Sequence, residues 1–301
     1  MKELTFRVVQ SHTEAERIWK QLSPNFYLND DWDFRYTFFK YKECDLYFIV
    51  GYDGKKIAGL LPLQYNPSKE LLQSFSDRSS DDTILWLQPG YKRTAQQFFA
   101  QIKQPAEISL GSKPYNFGPY KAEFSAFKYT LPLGGFTDYR DYITKLWPAK
   151  NAKRILKEMD QLLTQNEVEI IFNDQDDLEL LFALNLGRFT ETSSFRLHST
   201  RQAYRDIIKI FPSEIMTIKI NGEKQAVTAA IIYHEDHYFG LNNGTNRSVN
   251  NLGKFCYLIK IDRAIKLGMK SYGAGVKDFG GWKELFQFEK IPHYTLQLPG
   301  Q

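Results

Sequence analysis

The sequence holds few of the features that mark secreted, metal-binding or membrane-spanning chains. Its two cysteines, Cys44 and Cys256, belong to no metal-ligand spacing and to no Cys-x-x-Cys pair. This usage is typical of a reducing compartment. The amino terminus lacks the apolar core of a signal peptide, and no apolar run approaches the roughly 18 residues of a membrane span. We therefore expect a cytoplasmic protein without a metal site and without integral membrane contact.

An excess of charge of one sign is also missing. The 301 residues carry 39 Lys and Arg against 35 Asp and Glu, a net charge of +4 at neutral pH. Proteins that bind nucleic acid are usually more basic, or basic along one stripe. The balance argues against a DNA partner and makes a tRNA partner the less favoured one. His234 and His237 match no zinc spacing. Hydrolase, kinase and dehydrogenase motifs are absent too.

What the sequence does contain is one pattern that occurs twice. An apolar run leads to Asp53-Gly54, and a second apolar run rich in small residues comes after it; the same order surrounds Asn221-Gly222. These dipeptides predict type I′ hairpins, because both central residues of that turn need a positive φ, which Gly and Asn tolerate best. Two such hairpins, followed by similar lengths of chain, predict a duplicated α/β module.

Hydrophobic periodicity and turn signals predict a mixed α/β (α+β) chain, in which each module is a mostly antiparallel sheet flanked by helices. In the second half we predict a strand at 167–172, helices at 177–189 and 196–211, a three-strand meander at 215–220, 225–234 and 237–242, a polar loop at 242–251, a helix at 252–267, a strand at 270–272, a short helix at 280–288 and a strand at 294–298. We place the modules at 1–140 and 141–301.

The first half is predicted to open with a strand at 4–9 and a helix at 13–22. Thr13 would cap this helix, with Glu16 completing a capping box. An aromatic-rich helix is predicted at 31–41. Its aromatic residues fit a core, an acceptor pocket or an interface, with the core as the safest assignment. They are Trp32, Phe34, Tyr36, Phe38 and Phe39.

The order of elements resembles the GNAT acyltransferase fold. More specifically, it is similar to the duplicated GNAT branch that includes the Fem-type peptidoglycan aminoacyl transferases and the CelD-type acetyltransferases. One local feature is the Gly-x-x-x-Ala start of the second hairpin strand, at 54–58 and 222–226. Another is a basic helix at 149–165, and the last is Gly281-Trp282-Lys283, which resembles the family's aromatic-Lys element before the final strands. The resemblance implies a degenerate amino-terminal module and an active site in the carboxyl-terminal one.

The resemblance also implies that the loop before the helix at 252–267 cradles the pyrophosphate of acyl-CoA, the expected co-substrate. A helix amino terminus favours phosphate through its unpaired N–H groups and partial positive charge. The family signature there is Arg/Gln-x-x-Gly-x-Gly/Ala. This chain has the Arg, but departs from the signature at both small positions. The candidate cofactor-binding residues are Asn242, Arg247, Asn250, Asn251, Leu252 and Gly253. The structural alternative is a polar loop capped by Asn251.

Two residues near the carboxyl terminus are candidates for catalysis. By resemblance to the Fem-type enzymes, Lys283 would stabilise the developing oxyanion or the leaving group during acyl transfer. The alternative is a lysine that faces solvent. Asp278 lies among glycines and would act as a general base or orient one, or would only shape the turn.

Basic residues on the predicted helix at 149–165 are candidates for binding the acceptor. Lys150, Lys153, Arg154 and Lys157 share one helical face through i, i+3, i+4 and i+7 spacing. The resemblance implies that such residues contact a phosphorylated sugar, which Arg can bind through two parallel hydrogen bonds. A solvated basic face is the alternative.

The leading hypothesis is an N-acyltransferase. It would move an acyl group, expected to be acetyl from acetyl-CoA, to an amine of a sugar, a cell-envelope precursor or a related small acceptor by direct attack. One alternative is a Fem-type transferase that uses aminoacyl-tRNA for peptidoglycan. The other is a non-catalytic GNAT-like binding scaffold. CoA binding separates the first hypothesis from the scaffold, and dependence on charged tRNA identifies the Fem-type reaction.

Overall fold

The computed structural model describes residues 3–76, 85–111, 119–173, 175–276 and 281–299. The chain forms two compact units, one of Met1–Lys128 with Lys290–Gln301 and one of Tyr129–Glu289. Each unit is a mixed, mostly antiparallel sheet flanked by helices, so the predicted fold class is confirmed. The modules predicted at 1–140 and 141–301 stay a prediction, because compactness does not test duplication.

In the second half of the chain the elements come in the order that the sequence predicts. The strands are β1 Thr5–Val9, β2 Asp45–Asp53, β3 Lys56–Asn66, β4 Leu71–Ser74, β5 Trp86–Leu87, β6 Ala106–Leu110, β7 Ala122–Pro132, β8 Val168–Phe172, β9 Ser213–Ile220, β10 Glu223–Tyr233, β11 His237–Thr245, β12 Ser271–Gly273 and β13 Glu289–Leu298. The helices are α1 His12–Leu22, α2 Trp32–Phe39, α3 Ala95–Phe99, α4 Tyr139–Leu146, α5 Ala149–Gln165, α6 Leu178–Phe189, α7 His198–Ile210, α8 Leu252–Lys266 and α9 Trp282–Leu285.

The first unit has the strand order β1-β2-β3-β4-β6-β13, with β5 beside β3. Only β4 and β6 in this order pair in parallel. The aromatic residues of α2 lie mainly in the core, where Trp32, Phe34, Phe38 and Phe39 are buried. The predicted cap of α1 is wrong. The helix begins at His12 with Ser11 as the N-cap, so Thr13 already lies in the first turn.

The second unit has the strand order β7-β12-β11-β10-β9-β8, in which only β11 and β12 pair in parallel. Strands β9, β10 and β11 form the predicted meander. Helix α8 connects β11 to β12, and helix α6 packs on β10 and β11. The first unit repeats the pattern of a meander followed by a parallel strand, with β2, β3, β4 and then β6.

The two hairpin turns differ in conformation. Asn221 and Gly222 have φ angles of +53° and +83°, as a type I′ turn requires. In the first hairpin Asp53 pairs with Lys56, so the central residues are Gly54 and Lys55, and only Gly54 has a positive φ, of +59°. The predicted type I′ turn at Asp53-Gly54 is therefore wrong, because the strand extends one residue further than its sequence pattern indicates.

Candidate active site

The parallel strands β11 and β12 are paired at one end and part at the other. They pair only from His237 with Ser271 to Phe239 with Gly273. Beyond Gly273 the chain runs along β7 instead, where Ala274 N donates to Tyr129 O at 3.0 Å and Tyr129 N donates to Gly275 O at 3.1 Å. Strand β11 stays with β10 up to Thr245. The second unit therefore contains a parted pair of strands, with backbone groups of β11 that β12 does not cover.

A β-bulge lies in β11 where the strands part. Ala230 pairs with Gly240 and Ala229 with Asn242, which leaves Leu241 as the extra residue. Bulges redirect backbone groups and often lie beside active sites. Asn185 of α6 holds this one, since its Nδ2 donates to Asn242 Oδ1 at 2.9 Å and to Asn243 O at 2.8 Å. Asn242, predicted to bind the cofactor, thus lies in a strand and its side chain contacts the scaffold.

The loop after β11 ends at an unusual helix start. Ser248 N donates to Asn246 Oδ1 at 3.0 Å, which closes a turn inside the loop. The N-cap of α8 is Asn251, with a φ of +60° and no side-chain cap bond. Asn251 therefore adopts the left-handed conformation. The side chain of Leu252 is buried, so this residue offers a ligand only its backbone N–H.

Asn250 and Asn251 also line a cavity of about 590 Å³ beside this loop. The cavity extends along the carboxyl-terminal half of α5 and reaches the turn between β9 and β10. Arg247 is exposed and contacts no other residue of the described ranges through a hydrogen bond or an ion pair. The structure thus brings two of the predicted loop residues together in one cavity.

A guanidinium that the sequence analysis missed lies at the start of α8. Arg188, from the last turn of α6, donates to Thr245 Oγ1. A Cβ at Gly253 would lie 3.4 Å from its Nη1. Within the described ranges, no carboxylate pairs with Arg188. A cation beside a helix amino terminus is unfavourable unless an anion joins it. The local sequence gave no signal, because Arg188 and Gly253 are distant along the chain.

Lys283 lies on α9 with its ammonium group buried, so the solvent-facing alternative is wrong. Its Nζ donates to Ala274 O and, at 3.2 Å, to Gly275 O, and it lies 4.9 Å from the centre of the Tyr129 ring. These carbonyls belong to the segment that leaves β11 for β7. Lys283 therefore lies at the parted strands, and its catalytic role stays a prediction. Asp278, the other predicted catalytic residue, lies outside the described residues.

A second buried lysine, also missed, lies on α8. Lys260 has 1% of its surface exposed. Its Nζ donates to Asn243 Oδ1 at 2.5 Å and lies 4.1 Å from the centre of the Tyr257 ring. Burial lowers the pKa of Lys260 to about 7, with the nearby Cys256 opposing the shift and Lys283 adding to it. The sequence does contain a signal for this burial. Cys256 and Ala264 lie four residues before and after Lys260, so the three residues share one helix face, and its other two members are apolar.

Two further titratable groups beside Lys260 stay protonated at neutral pH. Burial raises the pKa of the Cys256 thiol to about 12 and raises the pKa of Tyr272 well above its usual value. The Tyr272 hydroxyl is fully buried and has no hydrogen-bond partner in the part of the chain that the structure describes. It points at Gly240, where a Cβ would lie 2.5 Å from the hydroxyl oxygen. Neither group is a nucleophile in these surroundings.

The predicted acceptor-binding residues lie on the outer surface of α5. Lys150, Lys153, Arg154 and Lys157 are all exposed. Arg154 pairs with Glu158 at 3.2 Å. Lys153 and Lys157 line a depression of about 610 Å³ together with residues of α4. A solvated basic face accounts for these positions equally well, so a role in acceptor binding stays a prediction.

Neither a metal site nor a membrane span is evident in the described parts of the chain. No group of three or more His, Cys, Asp or Glu side chains there is arranged to hold a metal ion. Among the described helices, none is long and apolar enough to cross a membrane.

Comparison with known proteins identifies the fold. No family model and no curated protein matches the sequence. Among solved structures, the chain is similar to a tandem GNAT protein from the clavulanic acid biosynthesis pathway, with a TM-score of 0.54 and 9% identity over 98% of both chains. It is similar to FemX, with a TM-score of 0.56 and 9% identity over 97% of both chains.

A third similar structure is the C-terminal domain of a putative lysylphosphatidylglycerol synthetase from Agrobacterium fabrum. The TM-score is 0.59 and the identity 11%, over 95% of this chain and 92% of that one. At this level of identity the comparisons show the fold alone. The chain has the tandem GNAT fold that its sequence pattern predicts.

Proposed function

Starting from a tandem GNAT fold, we propose that the protein is an N-acyltransferase. It transfers an acyl group, in the first instance acetyl, from acyl-CoA to an amine of a sugar, a cell-envelope precursor or a related small acceptor. The observation that carries the proposal is the parting of β11 from β12, which leaves backbone donors and acceptors of β11 unpaired by β12. The proposal includes a cytoplasmic location and a small acceptor, and it involves no DNA partner.

The residues at the start of α8 suit the phosphates of an acyl-CoA. The first N–H groups of a helix lack partners within the helix and favour an anion. Arg188 adds a guanidinium that no carboxylate of the described ranges neutralises, and Gly253 leaves the backbone beside it open. Arg247 is close in sequence and exposed. These groups would bind and orient the donor's pyrophosphate.

The parted strands suit the acyl end of the donor. Direct attack by the amine needs no covalent enzyme intermediate, so the protein contributes mainly positioning and electrostatic stabilisation. Backbone groups at the bulge of β11 would hold the acyl group. The ammonium of Lys283 would stabilise negative charge as it develops, and Asp278 stays a candidate for orienting a base.

Calorimetric titration with acetyl-CoA and with desulfo-CoA tests the proposal. We expect dissociation constants on the order of micromolar for the wild-type chain. Arg188→Ala and Arg247→Ala should each weaken binding by about tenfold, the scale of one charge-assisted hydrogen bond to phosphate. Arg17→Ala removes an exposed guanidinium of the first unit and serves as the matched control. If neither acetyl-CoA nor desulfo-CoA binds, the proposal of an acyl-CoA donor is rejected.

The second candidate is transfer from aminoacyl-tRNA, as in the Fem-type alternative. The observation that favours it is the loop, where Asn250 and Leu252 replace the small residues of the CoA-binding signature. An assay without CoA tests this candidate, which predicts transfer of a radiolabelled amino acid from charged tRNA to an amine. If both donors fail, a non-catalytic scaffold is the remaining interpretation of the fold.

A further inference from the structure

Lys260 is buried, and the groups around its ammonium do little to stabilise a positive charge. Within the described residues its one hydrogen bond goes to Asn243 Oδ1, a neutral acceptor, although a lysine ammonium has three donors. Its Nζ also lies 4.1 Å from the centre of the Tyr257 ring and 5.8 Å from the centre of the Tyr272 ring. Desolvation disfavours the charged form of a buried lysine.

The neighbouring titratable groups do not supply the missing negative charge. Those found beside Lys260 are Cys256 and Tyr257 on α8, Tyr272 on β12 and Lys283 on α9. Among the described residues, no carboxylate lies within ion-pair distance of Lys260. The same helix shows the contrast, because Arg263 pairs with the buried carboxylate of Glu214 at 2.8 Å.

The two buried lysines have unequal environments. Lys283 donates to two backbone carbonyls and lies over the ring of Tyr129. Among the described residues, Lys260 donates to a single side-chain amide, that of Asn243. Like charges close together raise the cost of charging both groups, and unequal environments decide which one gives up its proton. Lys260, whose pKa burial lowers to about 7, is therefore the member of the pair whose surroundings favour loss of the proton.

Lys260 lies beside the parted strands, where we propose that the acyl group binds. Asn243, which fixes its Nζ, belongs to the part of β11 that has already left β12. We propose that the neutral Nζ of Lys260 accepts the proton that the amine loses as it attacks the acyl carbon. The C–N bond forms, the C–S bond breaks with its electron pair on sulfur, and the proton passes from Lys260 to the thiolate. The inference rests on the proposed function.

Thiol release from acetyl-CoA tests this role across a range of pH. Glucosamine serves as the amine probe, and water is the acceptor without it. At saturating amine the wild-type kcat should rise to a plateau with an apparent pKa of about 7, because kcat reports the groups of the enzyme–substrate complex and not the free amine. Lys260→Met removes the amine and Lys260→Arg keeps a charge that cannot be given up, so both should lower kcat about 100-fold or more and abolish the inflection. Lys266→Met, at an exposed position of α8, is the control.

Each result decides the role of Lys260. Retained activity in Lys260→Arg, or an unchanged pH profile in Lys260→Met, overturns the inference. Wild-type protein that binds acetyl-CoA in calorimetry but releases no thiol at any pH overturns this inference alone. Wild-type protein that binds no acetyl-CoA overturns the proposed function as well. Lysine-selective NMR titration of the wild type needs no variant, and it contradicts the inference if every lysine titrates close to 10.5.

Discussion

At the scale of single residues, the second unit contains buried polar groups of two kinds. Glu214 is buried but binds Arg263 and the Tyr238 hydroxyl, at 2.8 and 3.0 Å, so its charge is compensated. Lys260 and the Tyr272 hydroxyl lack such compensation in the described ranges. A buried polar group without its partners costs stability. Tyr272 belongs to β12 and Lys260 contacts Asn243 of β11, so both uncompensated groups lie at the parted strands.

Replacing Lys260 by Met should stabilise the protein in a pH-dependent way. Because the folded pKa is about 7 and the ordinary value 10.5, the unfolded chain binds more protons between these pH values. The penalty is therefore present in full below the folded pKa and disappears as the pH rises towards 10.5. We expect a gain on the order of a few kcal/mol at acidic pH, reduced by about 1 kcal/mol for the hydrogen bond that Asn243 loses.

Urea unfolding at several pH values measures this effect, with Lys266→Met as the exposed control on the same helix. The difference in unfolding free energy between variant and wild type should shrink with rising pH. A Lys260→Met protein that is less stable than the wild type at acidic pH would contradict the assignment.

Gly240 and Tyr272 should be energetically coupled. A Cβ at Gly240 would lie 2.5 Å from the Tyr272 hydroxyl oxygen and 3.2 Å from Cζ. Gly240→Ala should therefore destabilise the protein by about 1–3 kcal/mol through overpacking. Tyr272→Phe removes an unpartnered hydroxyl and should change stability by less than about 1 kcal/mol. In the double variant most of the loss should be recovered, and a double-mutant cycle with zero coupling would refute the contact.

At the scale of elements, β11 organises the site. Its first three residues pair with β12, its bulge lies directly after them, and its last residues pair with β10 alone. Side chains of neighbouring strand residues point to opposite faces. Asn242 accordingly contacts α6 and Asn243 contacts α8. One strand thus connects the helix that carries Arg188 with the helix that carries Lys260.

Close packing of α6 on β11 depends on Gly244. A Cβ there would lie 2.6 Å from Leu181 O and 2.7 Å from Leu184 Cβ, and a backbone oxygen cannot turn away. Gly244→Ala should cost about 1–3 kcal/mol and loosen the bulge. The matched variant is Gly187→Ala on α6, which meets nothing within 4 Å and should stabilise the helix by about 0.5–1 kcal/mol. Thermal unfolding of both variants tests this, and equal melting temperatures would contradict it.

At the scale of the whole molecule, the two units share a strand pattern but differ in the helix that comes after the third meander strand. In the second unit α8 has 15 residues and begins beside Arg188. In the first unit the helix between β4 and β6 has only five residues. We therefore expect the donor site to lie in the second unit.

Donor binding should stabilise the whole chain and depend on salt. A ligand that binds only the folded state at about 100 times its dissociation constant adds about 2.7 kcal/mol to the stability. Salt screens exposed charges, so affinity for acetyl-CoA should fall as ionic strength rises. Thermal shifts at increasing sodium chloride measure this. Arg188→Ala should show a smaller shift and a weaker salt dependence, whereas Arg17→Ala should behave as the wild type does. A shift that is independent of salt would argue against a phosphate site.

The sequence by itself determined the order of elements and therefore the fold. Local signals sufficed for the turn at Asn221-Gly222, because a positive φ at both residues is a property of those residues. They sufficed for helix α5, whose bounds match its amphipathic pattern. Local signals failed at the first hairpin, where cross-strand pairing placed the turn one residue later than the dipeptide indicates.

Only the tertiary structure decided where the chemistry lies. Asn185 and the bulge of β11, Arg188 and Gly253, and Lys260 and Asn243 are all brought together across long stretches of chain. The loss of hydration that lowers the pKa of Lys260 depends on every element packed around it. Lys283 was named from its motif, but its burial against Ala274 and Gly275 resulted only from the parting of two strands. The conformational propensity of a residue depends on that residue and its near neighbours in sequence. Its burial and its charge partners depend on which distant segments the fold brings together.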